Sequence, residues 1–169
     1  MAKKLPDFDV MVPWYPGKGR TAESVKQEIG GSVNSKDIDD TCIVRLSKPL
    51  NYLGHKIPPW TEKFRTRQGR DKLWYGLRVR EFWPYMVKIY GPPTVQAKRP
   101  LNVKSFQRIR GIIGFRVDKW ASSGATGHFT LWDGYNLLYN NENHDYWSIS
   151  DEAALWEAGS IRVSIPEVQ

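Results

Sequence analysis

The single cysteine and one of the three histidines are the residues of this sequence best suited to nucleophilic chemistry. Cys42 precedes an apolar pattern at Ile43, Leu46 and Leu50, which predicts a helix that begins at the cysteine. A helix start favours a thiolate through the macrodipole and offers main-chain N–H groups to an oxyanion. His128 opens an apolar strand pattern, and a neutral imidazole can take a thiol proton. Acyl transfer through a thiolate therefore requires a fold that brings these two distant residues together.

The elements that must position them come as helices first and strands later. A helix is predicted over residues 21–29, with Thr21 as its cap and Gly30 as its end. The cysteine helix should reach about residue 50, because Pro49 limits or kinks it. The other predicted elements are an extended N-terminal arm (1–19), a strand (73–79), a helix (80–90), a basic connection with a short helix (94–107), strands at 111–117 and 128–132, an Asp133-Gly134 turn, and strands at 135–139, 154–156 and 161–165. This order indicates an α+β fold with an antiparallel sheet.

Length and composition limit the classes of protein to consider. The 169 residues suit one domain, 1–169, and a lone cysteine excludes an intrachain disulfide. No stretch approaches a membrane span, and residues 1–17 lack the apolar region of a secretory signal, so we expect synthesis in the cytoplasm and no Sec export. No metal-ligand spacing or phosphate-binding glycine loop is present, and we predict no metal or cofactor.

A net charge of +7 points to a polyanionic partner. The densest basic stretch, residues 63–80, is interpreted as a solvated loop, with a binding surface as the alternative. Together with 13% aromatic residues, this charge leaves open a basic, non-enzymatic module that binds single-stranded nucleic acid. An anionic cell-wall substrate fits the same charge.

Two segments together resemble a known family. The segment 41–52 (TCIVRLSKPLNY) resembles the cysteine motif of the fourth family of type VI secretion amidase effectors, and 125–134 (ATGHFTLWDG) resembles its histidine motif. Residues 111–115 and 73–92 are similar to the strand and the strand–helix unit between these motifs. The likeness covers about residues 20–165.

This resemblance implies an NlpC-type, papain-like α+β fold in one catalytic domain, with Cys42 as nucleophile and His128 as general base. It implies hydrolysis of the amide between the γ-carboxyl of D-glutamate and meso-diaminopimelate in peptidoglycan. It also implies delivery by the secretion apparatus into the periplasm of target bacteria and a cognate immunity protein as partner.

The resemblance leaves the residue that orients the imidazole open. The family usually has an aspartate eleven positions after the histidine, where this sequence has Tyr139. Asn140 is the favoured orienter after a shift of one residue, because Asn can hold an imidazole N–H. Asp133 is the main alternative, although it also suits the turn, and Asn141 and Asp145 are further options.

Neighbouring residues receive mainly structural interpretations. Arg45 and Asn51 are expected to hold the cysteine helix in place. Trp132 is expected in the core or in the wall of a groove, and Gly127 is expected to let the loop before His128 approach closely. Trp132 and Gly127 are therefore the candidate substrate-binding residues.

Overall fold

The N-terminal segment is folded onto the core. It contains helix α1 (Phe8–Met11) and a 3₁₀ turn (Val12–Trp14), so the extended arm predicted for residues 1–19 is wrong. The apolar spacing of this segment turns its large side chains inward, and four of them are buried: Leu5, Phe8, Met11 and Tyr15. The computed structural model describes residues 2–123, 126–140 and 143–159.

Local signals set the ends of the longer helices. Thr21 Oγ1 accepts the N–H of Ser24 at 3.1 Å and caps α2 (Ala22–Ile29). Gly30, with a φ of 67°, ends that helix, and Gly91, with a φ of 81°, ends α4. The remaining helices are α3 (Cys42–Tyr52), α4 (Val79–Tyr90) and α5 (Tyr146–Ile149).

Helix α3 continues through Pro49, which the sequence predicts to limit it. Proline cannot donate to the carbonyl of Arg45, and this costs about 3 kcal/mol in an ordinary helix. Leu46 and Leu50 are fully buried, and the burial of each such side chain contributes about 1.5–3 kcal/mol. The buried face outweighs the cost, and the helix extends to Tyr52.

The strands form a hairpin and a four-stranded antiparallel sheet. The hairpin joins β1 (Thr66–Gln68) and β2 (Trp74–Gly76). The sheet has the order β3-β6-β4-β5. Its strands are β3 (Val95–Lys98), β4 (Gly111–Arg116), β5 (Gly127–Trp132) and β6 (Glu152–Glu157).

Two predictions for the sheet differ from the structure, and a third concerns residues that the structure does not describe. Residues 95–98 form β3 where a connection was predicted, because β6 supplies a partner that local sequence does not reveal. Residues 135–139 form no strand; after the Asp133 turn they return along β5 with a single bridge between Leu137 and Trp132. The strand predicted at 161–165 lies outside the described residues.

Both faces of the sheet are covered, which confirms the predicted α+β class. Helices α3 and α4 pack on one face, where Phe129 and Leu131 of β5 meet Leu46 and Phe82. On the other face lie Phe106, Phe115, Trp132 and Tyr146. Strand β5 is at the edge of the sheet, yet all its residues are buried because α3 also packs against it.

Candidate active site

Cys42 is the first residue of α3 and its side chain is fully buried. Burial raises the pKa of the thiol, and the main-chain N–H groups of Phe129 and Ile43, which donate to its sulfur, offset part of that rise. One of these donors belongs to the helix start and the other to β5. The sulfur therefore lies where the tip of α3 meets the edge of the sheet.

The pairing of β5 explains why the Phe129 N–H is available to the sulfur. Val117 N donates to Thr126 O at 2.9 Å, which fixes the alternation of hydrogen-bonded pairs between β4 and β5. By this alternation His128 bonds to β4, whereas the polar main-chain groups of its neighbour Phe129 face away from β4. The edge of β5 that faces away from β4 thus places Cys42 beside Phe129, the residue that follows His128.

The imidazole of His128 is buried and held in one orientation. Its Nε2 lies 2.7 Å from the main-chain oxygen of Tyr139. A carbonyl oxygen only accepts, so Nε2 carries the hydrogen and Nδ1 keeps the lone pair of the neutral ring. Tyr146 stacks on the ring with centroids 4.6 Å apart. Burial lowers the pKa of His128 to about 4, so the ring is neutral near pH 7.

Thr130 fixes the carbonyl that holds His128. Its Oγ1 accepts the N–H of Tyr139 at 3.0 Å. Because His128 and Thr130 are two residues apart on β5, their side chains share a face and bind both polar main-chain groups of Tyr139. Sequence reasoning missed this role of Thr130, although its two-residue spacing from the histidine is the signal that could have found it.

Asp40 controls the electrostatics at the helix start. Its Oδ1 accepts the N–H of Cys42 at 3.0 Å. Burial, and then the negative charge of Asp40, raise the pKa of the Cys42 thiol well above its ordinary value. The macrodipole was expected to favour a thiolate, but burial and this carboxylate dominate, and the resting cysteine is a thiol.

Arg45 connects α3 to the N-terminal segment and to Tyr139. It is fully buried, and its guanidinium lies 3.6 Å from the centre of the Tyr139 ring. Its NH1 donates to Pro16 O at 2.9 Å and its NH2 to Arg20 O at 2.8 Å. Asn51 anchors the other end of α3 through a 2.6 Å bond to Trp74 O. Both residues hold the helix, as expected from the sequence.

The side chains predicted as orienters have other partners. Asn140 donates from Nδ2 to His144 O at 2.7 Å and accepts the His144 N–H at Oδ1, so it closes its own loop. Asp133 Oδ1 accepts the N–H groups of Tyr135 and Asn136 and stabilises the turn. Of the further options, Asn141 lies outside the described residues. A main-chain carbonyl, that of Tyr139, instead holds the imidazole, and it does so at Nε2.

The two residues predicted to bind substrate are structural in this fold. Trp132 is 1% exposed and donates from Nε1 to Phe106 O at 2.9 Å, so it is a core residue. A Cβ at Gly127 would lie 1.8 Å from the carbonyl oxygen of Phe115. Glycine is needed there for the close pairing of β4 and β5.

Comparison with known proteins identifies the family. Residues 38–157 match the family model described as type VI secretion system (T6SS) amidase effector protein 4, Tae4. The chain belongs to the Tae4 family. This membership matches the resemblance carried by the cysteine and histidine segments and speaks against the nucleic-acid-binding alternative.

Solved Tae4 structures share the fold over nearly the whole chain. Tae4 from Enterobacter cloacae is 26% identical, with a TM-score of 0.80 over 94% of this chain and 100% of that one. Tae4 from Enterobacter cloacae in complex with Tai4 is 25% identical, with a TM-score of 0.80 over 91% of this chain and 99% of that one. Tae4 from Salmonella typhimurium, in complex with the immunity protein Tai4 from Enterobacter cloacae, is also 25% identical. Its TM-score is 0.76 over 91% of this chain and 99% of that one. The comparison with curated proteins gave no match.

Tae4 membership agrees with the papain-like α+β architecture predicted above, in which a helix start carrying the cysteine packs on an antiparallel sheet carrying the histidine. Within the described ranges, no helix is both long and apolar enough to span a membrane. The same residues contain no group of three or more His, Cys, Asp or Glu side chains placed to hold a metal ion.

Proposed function

We propose that this Tae4-family chain is a cysteine amidase of peptidoglycan. It cuts the amide between the γ-carboxyl of D-glutamate and meso-diaminopimelate, with Cys42 as nucleophile and His128 as general base. The observation that supports this most is the contact of the Cys42 sulfur with the Phe129 N–H, next to a histidine whose Nε2 is held by the Tyr139 carbonyl so that Nδ1 keeps the lone pair of the neutral ring.

The reaction begins with two neutral groups, because burial raises the pKa of Cys42 and lowers the pKa of His128. His128 Nδ1 takes the thiol proton as Sγ attacks the γ-glutamyl carbonyl carbon. The imidazolium then returns the proton to the departing amine of diaminopimelate, which breaks the C–N bond and leaves a thioester. Water, deprotonated by the same imidazole, hydrolyses the thioester and restores the thiol.

The carbonyl of Tyr139 serves this cycle because it accepts Nε2–H throughout. It keeps Nδ1 as the basic atom in the neutral ring and stabilises the imidazolium that forms. We propose this main-chain group as the orienter in place of Asn140 or Asp133.

The main-chain N–H of Cys42 is the expected donor to the oxyanion. It is bonded to the Asp40 carboxylate in this structure. Asp40 must therefore release this N–H when the substrate carbonyl arrives. This exchange couples substrate entry to movement of the negatively charged Asp40 carboxylate away from the Cys42 thiol.

Partners and location follow from the family. Solved Tae4 effectors form complexes with Tai4 immunity proteins. We propose that this chain likewise has a cognate immunity protein, leaves its producer by type VI secretion and acts on stem peptides in the periplasm of target bacteria.

Digestion of purified sacculi tests the proposal. We expect parent protein to release muropeptides cut between D-glutamate and diaminopimelate, identified by mass. Cys42→Ala and His128→Gln should reduce the rate by at least about a thousandfold, because effects of this size follow loss of a nucleophile or its base. His55→Gln is the matched control: His55 bonds Tyr90 away from the site and should leave the rate unchanged.

Two results would overturn parts of the proposal. Parent rates in a folded Cys42→Ala protein would exclude the cysteine mechanism. Products cut at another bond would leave the mechanism but exclude the assigned amide.

A further inference from the structure

A groove runs along the outer face of α4. It has a volume of about 660 Å³ and lies between α4 and the turn that follows β4. Its apolar lining includes Trp83, Pro84, Val87 and Val117. Val87 is 41% exposed in the middle of this lining, so the groove presents an apolar floor to solvent.

The groove is continuous with a second cleft that adjoins the candidate active site. This cleft, of about 320 Å³, shares Val79, Arg80 and Thr126 with the first. It is also lined by Asp40, whose carboxylate bonds the Cys42 N–H. Thr126 is two residues before His128. The two clefts therefore form one path whose lining includes Asp40 and Thr126, each two residues before the proposed nucleophile or base.

Arg80 is the cation that lines both clefts. The other arginines of the clefts have partners: Arg67 NH1 donates to Asp37 at 2.7 Å, and Arg116 bonds both Asp118 and Glu152. Arg78 lies 4.0 Å from the Glu81 carboxylate. Arg80 makes no hydrogen bond or ion pair with any residue in the described ranges. A cation in the first turn of a helix is also disfavoured by the macrodipole, so Arg80 does not serve the stability of α4.

Lys88 extends the pattern to the far end of the groove. It lies eight residues after Arg80 on the same helix, a rise of about 12 Å. An extended peptide covers that distance with about four residues. The groove lining also carries the carboxylates of Asp118 and Glu152, and both of them bond Arg116. Arg80 and Lys88 remain as cations on either side of the apolar floor, an arrangement complementary to a short peptide that carries more than one carboxylate.

We propose that this groove is the binding site of the stem peptide and that Arg80 binds a carboxylate next to the scissile amide. The inference rests on the proposed function. The carboxylate is either the α-carboxylate of D-glutamate or the side-chain carboxylate of meso-diaminopimelate. The apolar floor at Trp83 and Val87 takes the aliphatic chain between the charged groups.

Steady-state cleavage of a soluble stem tetrapeptide by the full chain tests the proposal. We expect Arg80→Ala to raise KM about tenfold or more with a much smaller change in kcat, because a charge-assisted bond to bound substrate is lost. Arg80→Lys should recover part of the loss. Lys63→Ala removes the same charge from an exposed position outside both clefts and should leave KM unchanged.

Two modified peptides identify the carboxylate. One has D-isoglutamine in place of D-glutamate, and the other has L-lysine in place of diaminopimelate. On the peptide that lacks the recognised carboxylate, parent and Arg80→Ala should have the same KM. A second readout is the affinity of the intact tetrapeptide for Cys42→Ala with and without Arg80, measured by calorimetry.

The outcomes separate the two proposals. Parent-like KM and affinity for Arg80→Ala would overturn the role of Arg80, as would an equal loss on all three peptides. A parent protein that cleaves none of the peptides or sacculi would instead overturn the proposed function.

Discussion

At the scale of single residues, Asp40 has two opposing effects on the cysteine that follows it. Its carboxylate bonds the Cys42 N–H and favours the start of α3 by its position at the positive end of the helix. The same charge raises the pKa of the thiol. The carboxylate thus stabilises the helix that presents the proposed nucleophile while keeping its thiol protonated.

The change Asp40→Asn separates these effects, because an amide oxygen can still accept the Cys42 N–H but carries no charge. We expect the pKa of Cys42 to fall, and one pKa unit gives about ten times more thiolate at a pH well below the pKa. The measurement is the pH dependence of iodoacetamide labelling, followed by mass spectrometry. The lone cysteine makes every label assignable.

Asp39→Asn is the control for this prediction, since it removes an adjacent exposed charge. Identical labelling profiles for the parent, Asp39→Asn and Asp40→Asn would show that burial alone sets the reactivity of Cys42.

Residue identity explains why the sequence pointed to Cys42 and His128 as candidates but not to the main-chain group that binds the imidazole. A thiol at a helix start and an imidazole at a strand start are chemical types that a sequence displays. Every residue has a main-chain carbonyl, so the amino-acid type at position 139 does not indicate that the Tyr139 oxygen accepts the Nε2–H of His128. A search restricted to side chains led to Asn140, whose amide binds His144.

At the scale of secondary structure, β5 binds the segment that returns along it after the Asp133 turn. His128 and Thr130 bind the carbonyl and the N–H of Tyr139, and Leu138 N donates to Leu131 O at 2.9 Å. Three successive contacts on one strand edge therefore keep the segment after the Asp133 turn in place. The orientation of the imidazole is a property of this strand edge.

Thr130→Val removes the acceptor for the Tyr139 N–H at almost constant volume. We expect kcat to fall about tenfold, since loss of a buried hydrogen bond costs about 1–3 kcal/mol. Nitrogen-15 NMR should show that His128 is less uniformly protonated at Nε2 than in the parent.

Thr66→Val is the matched control, because Thr66 is a buried threonine that donates to Pro58 O far from β5. It should change stability but not the His128 tautomer. A Thr130→Val protein with parental kcat and tautomer would show that the bond between Thr130 and the Tyr139 N–H does not position the His128 ring.

Local signals predicted those elements that depend on local chemistry. The Thr21 cap, the stop at Gly91 and the Asp133 turn all involve neighbours in sequence. The passage of α3 through Pro49 depends on burial against distant elements, and β3 depends on β6 as its partner. Those two features could not be inferred from neighbouring residues.

At the scale of the whole molecule, the N-terminal segment completes the core around the site. Met11 is fully buried in the same cluster as Cys42 and Phe129. Tyr15 OH lies 3.0 Å from Thr130 Oγ1, and the carbonyls of Pro16 and Arg20 accept from Arg45. The segment therefore contributes to stability and to the surroundings of the nucleophile helix.

Met11→Ala tests this contribution. We expect the free energy of unfolding to fall by about 2–5 kcal/mol, the usual cost of a large-to-small change at a fully buried site. Urea unfolding followed by tryptophan fluorescence measures it.

Val10→Ala, at a neighbouring position that is 47% exposed, should change stability by no more than about 0.5 kcal/mol. Equal and small effects of both substitutions would mean that the segment packs weakly on the rest of the protein.

The position of β6 in the sheet has a consequence for biosynthesis. It is the last described strand in the sequence, yet it lies between β3 and β4, and no other strand in the described ranges pairs with β3. While the chain emerges from a ribosome, one side of β4 stays open until residues 152–157 appear. Open apolar strand edges pair with other chains. Translation that stops before this point would release fragments prone to aggregate, whereas a chain that includes residues 152–157 closes the gap with β6.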